Sequence, residues 1–116
     1  MTDTPAQIGF DDFLRIEIRV GTVVRAEPFP EARRSAYKLW VDFGTTIGTK
    51  KSSAQLTTHY QIADLLGRQV AAVLNFPPRR IGPFTSEILI LGFPDAHGEV
   101  VLIGPARRVP NGGRLF

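Results

Sequence analysis

Two short runs, Val70 to Leu74 and Ile88 to Leu91, are apolar at every position, and the segment joining them, NFPPRRIGPFTSE, holds two prolines and two adjacent arginines. Side chains alternate between the faces of a strand, so a run that is apolar at both parities reads as a strand covered on both sides. A short buried helix would show the same run, and periodicity alone does not separate the two. The β-branched residues and the flanking Pro and Gly favour strands. Pro77 and Pro78 fix φ and bias the preceding residue toward extended backbone. The segment therefore leaves the first strand as a stiff arm instead of a floppy hairpin, and Arg79 and Arg80 ride on restrained backbone. Gly82-Pro83 turns the chain again, and Thr85, Ser86 and Glu87 place hydroxyls and a carboxylate where the second strand begins. The plainer alternative is a proline-rich surface connection with solvated arginines.

Upstream, residues 1 to 9 lack periodicity and read as a tail or an arm that orders against a partner. Asp11 marks a helical turn capped by an aspartate, after which Ile16, Ile18 and Val20 alternate with Glu17 and Arg19 as a strand with one wet face. Gly21 inside that pattern predicts a bulge or sharp bend. The next strand alternates cleanly, with Tyr37, Leu39, Val41 and Phe43 on one face and Lys38, Trp40 and Asp42 on the other. Gly44-Thr45 predicts a hairpin returning through Thr46 to Ser53, with Ile47 inward. Ala54 to Leu66 has helical character weakened by Thr57, Thr58 and Tyr60, and Gly67 closes it. Phe93 to Gly98 reads as a turn-rich loop, Glu99 to Gly104 as a last strand, and residues 105–116 as a C-terminal extension ending in Leu115 and Phe116.

A chain of 116 residues with 43% hydrophobic content supports one domain with a real core. The absence of cysteine excludes disulfides, thiolate metal sites and cysteine nucleophiles, and suits the cytoplasm. The N-terminus has acids where a secretory signal needs basic residues, and no apolar run approaches the ~20 residues of a membrane span. Charge is unevenly placed. Asp3, Asp11, Asp12 and Glu17 against Arg15 give the first 17 residues a balance of −3, so with +3 overall the remainder carries +6. Its cations fall in groups: Arg33, Arg34 and Lys38; Lys50 and Lys51; Arg79 and Arg80; Arg107, Arg108 and Arg114. Such a surface concentrates polyanions, of which nucleic acid is the commonest.

Five or six strands with one short helix between the third and fourth fit an all-β Greek-key barrel of the OB type, whose second and third strands and adjoining loops bind oligonucleotides. An SH3-like barrel is the nearest competitor, but it offers no place for the helical insert.

Several separated motifs, in order, resemble the CsaA-like proteins of the tRNA-binding-domain family: Glu17-Ile18-Arg19-Val20-Gly21, Phe29-Pro30-Glu31-Ala32-Arg33, Lys38-Leu39, Asp42-Phe43-Gly44, Lys51-Ser52-Ser53-Ala54-Gln55, Asn75-Phe76-Pro77-Pro78-Arg79-Arg80-Ile81 and Ser86-Glu87. The resemblance implies an OB-fold homodimer whose N-terminal (1–14) and C-terminal (105–116) extensions form the subunit interface. It implies a tRNA-binding surface and, for the CsaA branch, a chaperone-like role in protein export. By position it assigns Asn75, Arg79, Arg80, Ser86 and Glu87 to the segment that contacts RNA, with Ser53 facing it. One departure is that the wider family follows the serine with Gln-Gly-Met, where this chain has Glu87-Ile88-Leu89, and a carboxylate facing phosphate is unfavourable.

Trp40 beside Lys38 could stack a base while the ammonium meets a phosphate, although an aromatic on a barrel strand more often packs beneath a loop. Lys51 and Arg33 extend the same basic set. Phe76 and Phe84 flank the arginines and suit either stacking or, with Trp40, an apolar peptide pocket. The chain has only His59 and His97, both read as surface histidines, and no paired acids at catalytic spacing, phosphate loop or metal-ligand cluster. No enzymatic activity, cofactor or metal is therefore expected. Two functions remain: a dimeric module that binds tRNA, and a chaperone that holds unfolded or exported polypeptides in the same cleft. Ile8, Phe10 and Phe13 at one end and Leu115 and Phe116 at the other need cover, which predicts a homodimer.

Overall fold

The computed structural model describes residues 4–116. In chain order the elements are α1 (Phe10–Leu14), β1 (Ile18–Pro28), β2 (Tyr37–Asp42), β3 (Thr49–Ala54), α2 (Ile62–Leu65), β4 (Gln69–Val73), β5 (Arg79–Ile81), β6 (Phe84–Ser86), β7 (Leu89–Ile90), β8 (Gly92–Pro94) and β9 (Val100–Leu102). The main sheet runs β3-β2-β1-β4-β7, antiparallel throughout. Long β1 serves two neighbours: its first half pairs with β4 from Ile18↔Val73 to Thr22↔Gln69, its second with β2 from Thr22↔Asp42 to Pro28↔Tyr37. That double duty rolls the sheet into a nearly closed barrel of the expected OB type. The seam between β3 and β7 is closed by single bonds: Glu87 N–H to Lys51 C=O (2.8 Å) and Ser52 Oγ–H to Ile88 C=O (3.0 Å).

The alternation read from β2 puts Leu39, Val41 and Phe43 inside, where Val23, Leu56, Leu65, Val70, Ala72 and Ile88 join them in one core. Gly44 takes the positive φ (93°) that the β2–β3 turn requires. Gly21 does not carry the bulge. A Cβ there would lie 2.6 Å from Val41 Cγ1 and 2.8 Å from Phe43 Cδ1, so glycine permits close packing, and the register slips at Val24 instead.

Four other expectations change. The helix predicted over Ala54 to Leu66 is only the single turn α2, because Ala54 completes β3 and Tyr60 is committed elsewhere. Its hydroxyl accepts Leu102 N–H (2.9 Å) and its carbonyl accepts the Tyr37 hydroxyl (2.8 Å). The run Ile88 to Leu91 is not one doubly covered strand: Ile88 is buried but Leu89 is 48% exposed. After β7 the chain leaves the sheet at Gly92, where a side chain would strike Val100 (2.6 Å), and β8, whose Phe93 and Pro94 were expected as loop, pairs with β9. The aspartate-capped turn is capped by Gly9, whose N–H donates to the Asp12 carboxylate at 3.0 Å.

Of the tail expected over residues 1–9, residues 1–3 lie outside the described part. The C-terminal extension completes the sheet where β2 does not reach: Gly112 N–H bonds Val20 C=O, Val20 N–H bonds Gly113 C=O, and Leu115 N–H bonds Ile18 C=O, at 2.7–3.0 Å. Ile8, Phe10, Leu14, Ile16, Leu115 and Phe116 stay exposed. Among the described residues no helix is long and apolar enough to cross a membrane.

Candidate nucleic-acid interface

The arm after β4 folds into the hairpin β5–β6, with Arg79↔Ser86, Arg80↔Thr85 and Ile81↔Phe84 opposed. Gly82 at φ +56° followed by Pro83, whose ring keeps φ negative, is the combination a two-residue type II′ turn needs. The sequence reading of a stiff arm without a hairpin is corrected accordingly. Strand alternation sends the two arginines to opposite faces. Arg79 faces the barrel with Ile81 and Ser86, and Arg80 faces away, its Nε–H donating to Gly82 C=O at 2.8 Å.

Phe84 anchors the hairpin. It is 7% exposed and meets Phe29 (5.5 Å) and Trp40 (6.0 Å) edge-on, forming a second apolar cluster outside the barrel. Cations cover this aromatic layer: Lys38 Nζ lies 4.9 Å from the Phe29 ring centre and 5.5 Å from that of Phe84, Lys51 Nζ 5.3 Å from Phe84, and the Arg25 guanidinium 4.3 Å from Trp40. Trp40 and Phe84 thus pack beneath other groups, the commoner fate for aromatics on a barrel strand. Phe76, 50% exposed, is the aromatic of the three that remains open.

Between the hairpin and the β3–β7 seam runs a two-lobed cleft. The larger lobe, about 600 Å³, has Arg33, Arg34 and Arg79 over apolar residues that include Leu56, Ile90 and Val100. The smaller, about 240 Å³, is lined by Phe76, Pro77, Ser86 and Glu87. Ser53, Arg79, Ile81 and Leu89 border both. None of the three arginines has an ion-pair partner among the described residues. Arg34 and the apolar floor were not singled out from sequence as site residues; the Arg33-Arg34 doublet was the available signal for the former, while the floor depends on the meeting of β3, β7 and β9.

Ser86 and Glu87 also hold the seam. Ser86 Oγ accepts Ser53 N–H (3.2 Å), and Glu87 Oε1 accepts Lys51 N–H (3.0 Å), so side chains stand in for the missing ladder between β3 and the hairpin. Asn75 lies apart from the cleft lining. Its Oδ1 accepts Glu17 N–H (3.0 Å) and its Nδ2 donates to Arg15 C=O (2.7 Å), tying the start of the arginine-bearing segment to the chain before β1. Glu17 in turn pairs with Arg19 (2.8 Å) and Arg114 (2.5 Å). The Arg19 hydrogen bond, with Arg114 assisting, holds its carboxyl below the ordinary glutamate range.

His59 is paired, with Nε2 2.7 Å from Asp95 Oδ2, and beside it Thr58 Oγ–H donates to Glu99 (2.9 Å). The His59 contact, then the His97 and Glu99 amides, lower the Asp95 pKa. These bonds pin the β3–α2 connection to the β8–β9 hairpin. Among the described residues, no three His, Cys, Asp or Glu side chains gather as metal ligands would.

Residues 18–114 match the family model described as "Putative tRNA binding domain". The chain is 36% identical over 108 residues to a methionine–tRNA ligase of Porphyromonas gingivalis, covering 93% of this chain and 15% of that enzyme. It thus spans about one seventh of the length of that relative. Among solved structures, the chaperone CsaA of Bacillus anthracis is 49% identical with a TM-score of 0.87, covering 96% of this chain and all of the other. The CsaA chaperone protein of Picrophilus torridus is 42% identical, also with a TM-score of 0.87, covering 95% of this chain and all of that one.

Proposed function

The chain belongs to the tRNA-binding-domain family, and on that premise we propose that it is a non-catalytic, cytoplasmic, dimeric module that grips tRNA in the cleft beside the β5–β6 hairpin. The observation that carries this reading is the set Arg33, Arg34 and Arg79 on one cleft without acidic partners among the described residues. A guanidinium without a carboxylate partner is free to make charge-assisted bonds to phosphate, and each phosphate neutralised releases condensed counterions. Lys38 and Lys51, standing over the aromatic layer, extend the positive surface along β2 and β3. Phe76 offers a ring to an unstacked base. Glu87 is less adverse to phosphate than its charge implies, because one carboxylate oxygen is held by Lys51 N–H. The dimer would bury the exposed Ile8, Phe10, Leu14, Leu115 and Phe116 and present the cleft twice.

A second reading has a specific basis. The apolar floor of the larger lobe and the 49% identity to a CsaA chaperone favour an extended polypeptide as occupant of the same cleft. Filter binding with total tRNA at about 50 mM and about 200 mM salt separates the two, because phosphate contacts make affinity fall steeply with salt. An unfolded polypeptide held by apolar burial gives a nearly flat response. Absence of tRNA binding at the lower salt refutes the first reading.

A further inference from the structure

The described ion pairs use Arg15, Arg19, Arg25 and Arg114. The arginines left over form two groups: Arg33, Arg34, Arg79 and Arg80 at or beside the cleft, and Arg68, Arg107 and Arg108, which line a separate concavity of about 390 Å³. We propose that this second concavity is an anion site that takes phosphate groups of a polynucleotide backbone. The proposal rests on the tRNA reading above and extends it to a surface outside the cleft.

The concavity lies at the start of β4, where Gly67 to Gln69 meet Leu102 to Arg108. Two of its guanidiniums are held in place without losing charge. Arg108 donates to Gly67 C=O (3.1 Å) and Thr22 Oγ1 (3.4 Å), and Arg68 donates through Nε to Asp64 C=O (3.3 Å) while lying 5.2 Å from the Tyr60 ring centre. Both keep further N–H groups to offer, since a guanidinium carries five. Among the described residues no carboxylate lines the concavity, and the nearby Asp64 carboxylate is bonded to Gln61 N–H (2.8 Å). Arg107 is exposed. Three cations on one concavity without counter-charge repel one another, and a bound anion relieves that repulsion.

Extended chain rises about 3.3 Å per residue, so Val100 on the cleft floor and Leu102 at the second concavity, two residues apart on β9, bring the two regions toward one another along that strand. A nucleic acid carries phosphates along its whole length and can meet both regions at once. The two sites should then contribute independently to the salt dependence of one complex.

The test compares the full-length protein with R68Q/R107Q, leaving Arg108 in place because it also anchors the segment after β9. Total tRNA is titrated at several salt concentrations. The expected result is an affinity lower by about tenfold at low salt, with the log–log salt slope shallower by roughly 1.4–1.8 for two contacts at 0.7–0.9 each, and an unchanged melting temperature. Unchanged affinity and slope in a protein that does bind tRNA overturn the inference and leave the cleft reading standing. If the wild type fails to bind tRNA, inorganic phosphate titrated against the side-chain N–H resonances of Arg68 and Arg107 decides. Shifts saturating with phosphate but not chloride support the anion site alone, and their absence overturns it.

Discussion

Replacing Asn75 with alanine separates two roles for a residue that the family resemblance assigns to RNA contact. In the structure both ends of its amide are used within the chain, on Glu17 N–H and Arg15 C=O. A net hydrogen bond contributes about 0.5–1.5 kcal/mol, and the freed backbone groups lie at the surface where water replaces the amide, so the expected loss is about 1–2 kcal/mol. For a domain near 100 residues that lowers the melting temperature by roughly 5–10 °C. The segment Phe76-Pro77-Pro78-Arg79 begins beside this clamp, and releasing it adds an ordering cost on binding of about 1 kcal/mol, or about fivefold in affinity. Because no cation is removed, the salt slope should stay unchanged. Thermal melts followed by circular dichroism, with tRNA titrations at several salt concentrations, read both quantities. Weaker binding without a change in melting temperature would refute the reasoning and return Asn75 to direct contact. A lower melting temperature with intact affinity would show that the clamp stabilises the fold without positioning the arginines.

Arg79→Ala should weaken tRNA binding by about tenfold and flatten the salt slope, while Arg80→Ala, whose side chain turns back on Gly82, should cost about threefold or less; equal losses in filter binding would contradict the opposite-face geometry. Glu17 has a folded-state pKa below the ordinary glutamate value, held down first by the Arg19 hydrogen bond, so its stabilisation is present above the unfolded pKa and is lost as pH falls through the lowered folded pKa. Urea titrations from about pH 6 to about pH 3 should therefore show wild type losing more stability than Glu17→Gln, and parallel curves would remove the Arg19–Glu17–Arg114 network from the account. Leu115→Ser with Phe116→Ser should shift light scattering from dimer to monomer with little unfolding, since Leu115 is paired to Ile18 through its backbone; a wild type that is already monomeric at micromolar concentration defeats the dimer proposal.

What the sequence determined by itself was local and periodic. The alternation from Tyr37 to Phe43 placed Leu39 and Val41 in the core, because a strand's period of two depends only on its own side chains and on which face meets water. Gly44 and Gly67 marked turns because positive φ is a property of the residue itself. The ordered motifs shared with the tRNA-binding domains carried the barrel class, and the basic residues foretold a positive surface. What tertiary structure decided were the outcomes that depend on partners far along the chain. Leu89 is exposed although it sits in an apolar run, because it borders both lobes of the open cleft. Gly21 serves close packing because Val41 and Phe43 arrive from another strand, and the bulge moves to Val24. Trp40 and Phe84 cover each other and lie under cations, so neither is an open stacking platform. Asn75, Ser86 and Glu87 reach polar partners more than thirty positions away. A hydrogen bond is satisfied by whatever donor or acceptor the fold brings within 3 Å or so, and sequence spacing carries no record of that approach.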